Sequence, residues 1–207
     1  DFAAPRRHDR VCDLGTGTGI IPLLLYAREN TISADAVEIQ PDMADMAARS
    51  MAMNGLNEKI RVLPGDLRSI RTLLPHARYD LVTCNPPSGN AGGPLLHPDA
   101  SKRLARHEES CAIEDVACAA AWLLQNGGRL CCVFPAARMI ELSDAMRKYR
   151  MAPKRIRMVH SRVEKAAHLC LMEGMLDARP GLIIEPPLVI YDENNAYTPE
   201  LRRIYGL

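Results

Sequence analysis

A side-chain carboxamide pinned by prolines is the first group in this chain that could do chemistry. In Cys84-Asn85-Pro86-Pro87-Ser88 it follows the apolar run Leu81-Val82-Thr83-Cys84, the end of an expected buried strand. Proline fixes its own φ and narrows the backbone of the residue before it, so Asn85 is held in one pose at the strand rim. The Asn85 side-chain oxygen and the Pro86 carbonyl oxygen are then two fixed acceptors. They can take both N–H bonds of a planar exocyclic amine and favour a pyramidal nitrogen whose lone pair is free to attack. Asn85, Pro86 and Pro87 are therefore candidate catalytic residues for group transfer to nitrogen. Taken alone, the same motif also fits a turn that merely ends a strand.

A second group lies upstream. Asp13-Leu14-Gly15-Thr16-Gly17-Thr18-Gly19 falls between the first expected strand and helix, where open α/β sheets bind ligands. Gly15, Gly17 and Gly19 allow a tight turn and close approach of the backbone to a ligand. Glu38, nineteen residues after Gly19, ends the second strand, where a carboxylate can accept both hydroxyls of a ribose. Asp66 follows the third strand and can meet an adenine amino group. A dinucleotide fingerprint would be G-x-G-x-x-G with a pyrophosphate at the helix N-terminus. Here the spacing is G-x-G-x-G, and the Asp13 carboxylate would repel a pyrophosphate but favour an ammonium. The ligand that carries an adenosine, an ammonium and no phosphate is S-adenosylmethionine (SAM). The expected cofactor contacts are Asp13, Gly15, Thr16, Gly17, Gly19, Glu38, Ile39, Asp66 and Leu67, with Asn85 at the boundary with the substrate.

Apolar runs and helical-period segments alternate along the chain. Strands are expected at 10–14, 35–39, 60–66, 79–84, 127–135, 154–161 and 166–176, and helices at 20–30, 41–55, 69–77, 113–125 and 138–150. This order predicts an α/β, doubly wound, Rossmann-like domain with a mostly parallel seven-stranded sheet. The last two strands are joined without a helix, which predicts an antiparallel C-terminal edge. Residues 1–185 are expected to form this domain and residues 186–207 a C-terminal tail packed on it. About nine residues precede the first strand, so an element covering the cofactor from that side is expected outside this sequence.

Bulk composition narrows the class. With 47% apolar and 25% charged residues, the chain has the makeup of an ordinary globular protein, and its longest apolar run, Ile20–Ala27, is too short to cross a bilayer. A cytoplasmic protein with no membrane association is expected. The seven cysteines form no C-x-x-C pair and no zinc spacing, which predicts buried thiols and no metal. The net charge of +1 hides a basic stripe from Arg147 to Lys165 that includes Lys154, Arg155 and Arg157. With Lys102, Arg103, Arg106 and His107 in the loop after Asn85, it could bind the phosphates of a nucleic acid, although such runs are usually solvated surface.

DLGTGTGIIPLL, EIQPDMADMAARSMAMNG and NPP together resemble the class I SAM-dependent amino-methyltransferases with an N-P-P-Tyr-type motif. ARHEE, AIEDV, MRKYRMAPKRIRMVH and the ending EPPLVIYDENNAYTPELRRIYG are similar, more narrowly, to the bacterial tRNA adenine-N6 methyltransferases that modify the adenine at position 37 of a valine tRNA. The resemblance implies a tRNA partner, cofactor contacts at Asp13, Gly15, Gly17, Glu38 and Asp66, and amine acceptors at Asn85 and Pro86. Ser88 stands where that family usually carries an aromatic ring to stack on a flipped base, which leaves three readings: an aromatic from the C-terminal tail, such as Tyr197, or from an upstream segment closes over the base, residues between Pro87 and Gly89 are missing, or activity has been lost. Two other readings stay open: methylation of another planar nitrogen, in rRNA, DNA or a protein glutamine, and a non-catalytic module that binds SAM or RNA.

Overall fold

The computed structural model describes residues 1–86 and 113–207. Among these, the elements are β1 (Arg10–Leu14), α1 (Ile20–Arg28), β2 (Ser33–Glu38), α2 (Pro41–Met53), β3 (Ile60–Pro64), α3 (Ile70–Leu73), β4 (Tyr79–Cys84), α4 (Ile113–Leu123), β5 (Leu124–Pro135), α5 (Met139–Lys148), β6 (Met151–His160), β7 (Ala167–Leu176), β8 (Ile183–Val189) and α6 (Pro199–Tyr205). The strands form one sheet in the order β3-β2-β1-β4-β5-β7-β6-β8. β1 to β5 are mutually parallel, β7 is antiparallel to β5 and β6, and β8 is parallel to β6. The Rossmann-like expectation with an antiparallel C-terminal part holds, with one addition. The sheet has eight strands among the described residues, because Ile183–Val189 adds beyond β6.

That extra strand was hidden by its sequence. Ile-Ile-Glu-Pro-Pro-Leu-Val carries two prolines that lack a ladder donor, which demotes a run in sequence reading and is tolerated on an edge strand. At Pro186 and Pro187 the β6–β8 register shifts, and pairing resumes at Leu188 opposite Val159.

Helices cover both faces. α2 starts on Pro41, whose missing N–H would be unpaired there in any case, and turns Ala44, Ala47 and Met51 inward at helical spacing. These face the sheet beside Val11, Ile32 and Leu81 on the α1 side, while α4 and α5 bury the larger cluster on the other face. A small third cluster, Val159, Leu188 and Leu201, seats α6 against the β6–β8 end. α6 is held further by its Thr198 cap, which accepts from Leu201 N and donates to the Val189 carbonyl at 2.7 Å.

The C-terminal half of the sheet is stitched by a buried ion network. Arg129 on β5, 4% exposed, faces Glu173 on β7 at 3.1 Å and Asp9 at 3.4 Å, and donates to the carbonyls of Ala3 and Ala4. Glu173 also meets Arg155 at 3.2 Å, and Arg155 continues to Glu185 of β8 at 2.6 Å while its guanidinium covers the Phe2 ring. The network ties three strands after β5 and the N-terminal segment to one point. Removing one partner leaves buried charge uncompensated, so Glu173→Ala should lower stability by about 3–5 kcal/mol in urea unfolding. The exposed Arg138–Glu141 pair gives the comparison, and Arg138→Ala should cost under about 1 kcal/mol.

Candidate active site

Parallel register fixes which residues share the rim of the sheet. Asp13 pairs with Ala36 on one side and Thr83 on the other, and Leu14 pairs with Val37 and Cys84. The next positions outward are Glu38, Gly15 and Asn85, so the three expected contacts from separate strands lie side by side. β3 pairs Pro64 with Glu38, which brings Asp66 to the same rim.

Asp13 is fully buried, and its Oδ1 accepts from the Thr83 hydroxyl at 2.6 Å. Its Oδ2, and the hydroxyl of Thr16, have no hydrogen-bond partner among the described residues. Burial pushes the Asp13 carboxyl up to about 6, a rise that the Thr83 hydrogen bond reduces and the Glu38 charge adds to. Unpartnered buried polar atoms are rare in folded chains, and an acceptor next to a hydroxyl suits a ligand ammonium.

Glu38, also buried, is oriented by backbone donors. Its Oε2 accepts from Gly17 N at 2.8 Å and its Oε1 from Gln40 N at 2.9 Å. Each oxygen keeps lone pairs for a vicinal diol. Asp66 takes the backbone N–H of Arg68 at 2.9 Å and its guanidinium at 2.8 Å, and this arginine holds the carboxyl below the usual carboxylate range. Between Glu38 and Asp66, Ile39 is 47% exposed and Leu67 half-buried, two apolar surfaces available to a purine. The donor set fits SAM: carboxylates for the ammonium and the diol, apolar flanks for the adenine, and no cation in the turn for a phosphate.

The glycines of the turn divide into two roles. Gly15, at φ +68°, has nothing among the described residues within 4 Å of the position a Cβ would take, which leaves room there for a ligand to approach its backbone. Gly19 also has positive φ, but a Cβ there would lie 2.6 Å from Met51 Cε and 3.3 Å from Ala47 Cβ. Close packing of α1 on α2 accounts for Gly19, which the sequence reading grouped with the cofactor contacts.

On the substrate side, Asn85 is exposed at the end of β4 and Pro86 is buried beneath it. Pro87, Ser88, Lys102, Arg103, Arg106 and His107 lie outside the described residues. The basic stripe is corrected by the structure. Arg155 is committed to Glu173 and Glu185, and Arg157, half-buried on the same strand, pairs with Glu200 at 2.6 Å and donates to the Pro186 carbonyl. Both arginines belong to the fold's internal ion pairs and are not free cations on a phosphate-binding surface. Lys154 donates only to a neutral carbonyl, that of Arg179, at 3.3 Å. Thr83 went unnoticed in the sequence, although a hydroxyl inside the buried run Leu-Val-Thr-Cys must find a partner, and that requirement was a usable signal.

A family model described as the methyltransferase small domain matches residues 2–154. The tRNA1(Val) (adenine(37)-N6)-methyltransferase of Porphyromonas gingivalis is 31% identical to the chain over 199 residues, covering 93% of this chain and 76% of that protein. The protein of the same name from Tolumonas auensis is 34% identical, with 92% and 78% covered. Among solved structures, an Agrobacterium tumefaciens protein described as a predicted O-methyltransferase superposes with a TM-score of 0.80 at 23% identity, over 98% of this chain and 91% of that one.

The Asp13 carboxyl generates a pH test. An aspartate with the ordinary value of 3.8 loses its proton in the unfolded chain before the folded one does, near 6. The folded chain therefore binds more protons between these values, and its stability falls as pH rises from about 4 to about 6, by at most roughly 3 kcal/mol. Urea midpoints measured without ligand should show this slope, and Asp13→Asn should abolish it. SAM affinity of the unmodified chain should rise over the same interval, because an ionised Asp13 attracts the ammonium.

Proposed function

The chain belongs to the methyltransferase small domain family, is a SAM-dependent methyltransferase by that membership, and is related to the tRNA1(Val) (adenine(37)-N6)-methyltransferases; from that premise we propose that it methylates N6 of an adenine in tRNA, beside the anticodon of a valine tRNA. The observation that carries this reading is the position of Asn85. It stands one residue beyond Cys84 on the rim, next to Gly15 by register, so a substrate amine held there faces the ligand turn.

When bound, SAM supplies an electrophilic methyl group on a sulfonium. The chain's own work is to hold the amine. The Asn85 side-chain oxygen accepts one N–H of the adenine amine and the Pro86 carbonyl accepts the other, which withdraws the nitrogen lone pair from the ring and aims it at the methyl. The nitrogen so held would take the methyl group that bound SAM supplies and would then give up one proton to solvent. Because the donor is already activated, positioning and fixed dipoles are enough. Buried Pro86 and the Thr83–Asp13 bond beneath it keep Asn85 still relative to the turn. The sheet through β8 serves as the catalytic domain in this reading, so the boundary expected at 185 moves past Val189, and the residues after it form a tail seated on the domain.

The test uses labelled SAM and bulk tRNA from a strain lacking this protein, followed by digestion and identification of the labelled nucleoside. N6-methyladenosine is the expected product; label in rRNA, DNA or protein and none in tRNA would replace the reading. Asn85→Ala should bind SAM normally in calorimetry yet lose about a hundredfold or more in kcat/KM, since the side chain meets the amine and not the donor.

A further inference from the structure

Three tyrosines stand outside the core at the C-terminal end of the chain. Tyr191 and Tyr197 are joined by a backbone bridge, and their rings stack with centroids 5.5 Å apart at 23°. The Tyr205 ring follows at 5.8 Å from Tyr197. They are 37%, 41% and 62% exposed, whereas Tyr79, a core tyrosine, is 4% exposed. An ordered run of aromatic rings left in water is not accounted for by folding, because it leaves apolar surface unburied.

Strand direction puts this run on the catalytic rim. β8 runs parallel to β6, β6 antiparallel to β7, and β7 antiparallel to β5, so the end of β8 lies on the same side as the end of β4. Tyr191 follows β8 by two residues. Four strand spacings separate β4 from β8, about 19 Å across the rim. At roughly 3.4 Å per stacked base this is the span of several nucleotides. A cavity of about 290 Å³ is lined from both places, by Thr83 and Cys84 of β4 and by Ile204 and Tyr205 of α6.

The charge around the rings suits a polyanion. Arg162 is held by the Asp192 carbonyl and the Asn195 side-chain oxygen, both neutral, so its charge is not cancelled by them. Arg202 and Arg203 are exposed on α6 without a carboxylate partner among the described residues, and Lys165 is exposed in the loop after β6. Asp192, half-buried in the same turn with its carboxylate on the Asn194 and Ala196 N–H groups, and the exposed Glu164 and Glu193 are the acids nearby in sequence, while Glu200 is taken by Arg157. The platform is also rigid: Arg162 pins the 192–195 turn, and the Thr198 cap and the Arg157–Glu200 pair pin α6.

We propose that Tyr191, Tyr197 and Tyr205, with Arg162, Arg202 and Arg203, form a stacking platform for unpaired nucleotides that flank the base presented to Asn85. Aromatic rings accept any base, because every base has a π-face, and cations beside them hold the backbone. The inference rests on the reading that the substrate is RNA and adds where the strand runs.

The experiment measures binding of the full chain to a fluorescein-labelled anticodon stem-loop and to a fully paired RNA duplex by anisotropy. Tyr197→Leu and Tyr205→Leu keep an apolar side chain and remove the ring, and each should weaken stem-loop binding about five- to tenfold. Tyr197→Phe and Tyr205→Phe should bind as the unmodified chain does, and duplex binding and SAM affinity should stay constant in all four. Tyr205 is the more exposed ring, so its variants give the result even where Tyr197→Leu lowers the melting temperature. Equal losses in Leu and Phe variants, equal losses on loop and duplex, or no loss at all would overturn the platform. Ring-dependent loop binding by a chain that transfers no label to tRNA would support the platform and overturn the proposed reaction. Transfer to tRNA with no ring dependence would do the reverse.

Discussion

A single buried hydrogen bond sets the reference for the whole active rim. The Thr83 hydroxyl donates to Asp13 Oδ1 at 2.6 Å in the middle of the parallel β1–β4 seam, with both residues excluded from water. Two residues beyond it on one strand is the open glycine of the turn, and two residues beyond it on the other is the carboxamide. A slip of one residue between these strands would turn the hydroxyl to the opposite face and leave the buried carboxylate with no partner. Register, and with it the spacing of ligand turn and substrate acceptor, is therefore tied to the cost of orphaning a charge.

The same carboxylate is left half-satisfied. Its second oxygen and the Thr16 hydroxyl have no partner among the described residues, and burial raises the carboxyl to about 6. Fold and function compete at this point: an apolar residue would suit the core better, and a ligand with an ammonium removes the penalty. Glu38 resolves the conflict differently, because the Gly17 and Gln40 N–H groups already hold its carboxylate in place. One acid is stabilised by the fold, and the other awaits its partner.

Away from the rim, charge is used for architecture. Arg129, Glu173, Arg155 and Glu185 link β5, β7, β6 and β8 in sequence across the sheet, and Asp9 and the first residues join them. Among these strands only β7 runs against the rest, so β6 and β8 point the same way as β4 and bring the tyrosines after β8 to the side where Asn85 lies. Two arginines of the basic stripe, Arg155 and Arg157, thus become internal struts. Arg162 of the same stripe, held by neutral oxygens, and Arg202 and Arg203 of α6 are cations with no carboxylate partner among the described residues.

Local chemistry was enough to mark the ligand turn, the strand-end acids and the asparagine, because glycine, proline and a carboxylate at a strand end each have few reasons to occur where they do. Alternation of apolar runs and helical periods was enough for the doubly wound order from β1 to β7. Three things depended on the tertiary structure. Pairing decided that Gly19 also answers to Met51, since the two meet only when α1 and α2 pack. It decided that Arg155 and Arg157 are spent on acids some 18 to 43 residues away in sequence, which no local count of charge reveals. It also made an edge strand of Ile183–Val189 despite its two prolines, because a parallel neighbour was present to accept it. Residue types report what a position can do, and partners distant in the chain decide which of those capacities is already used.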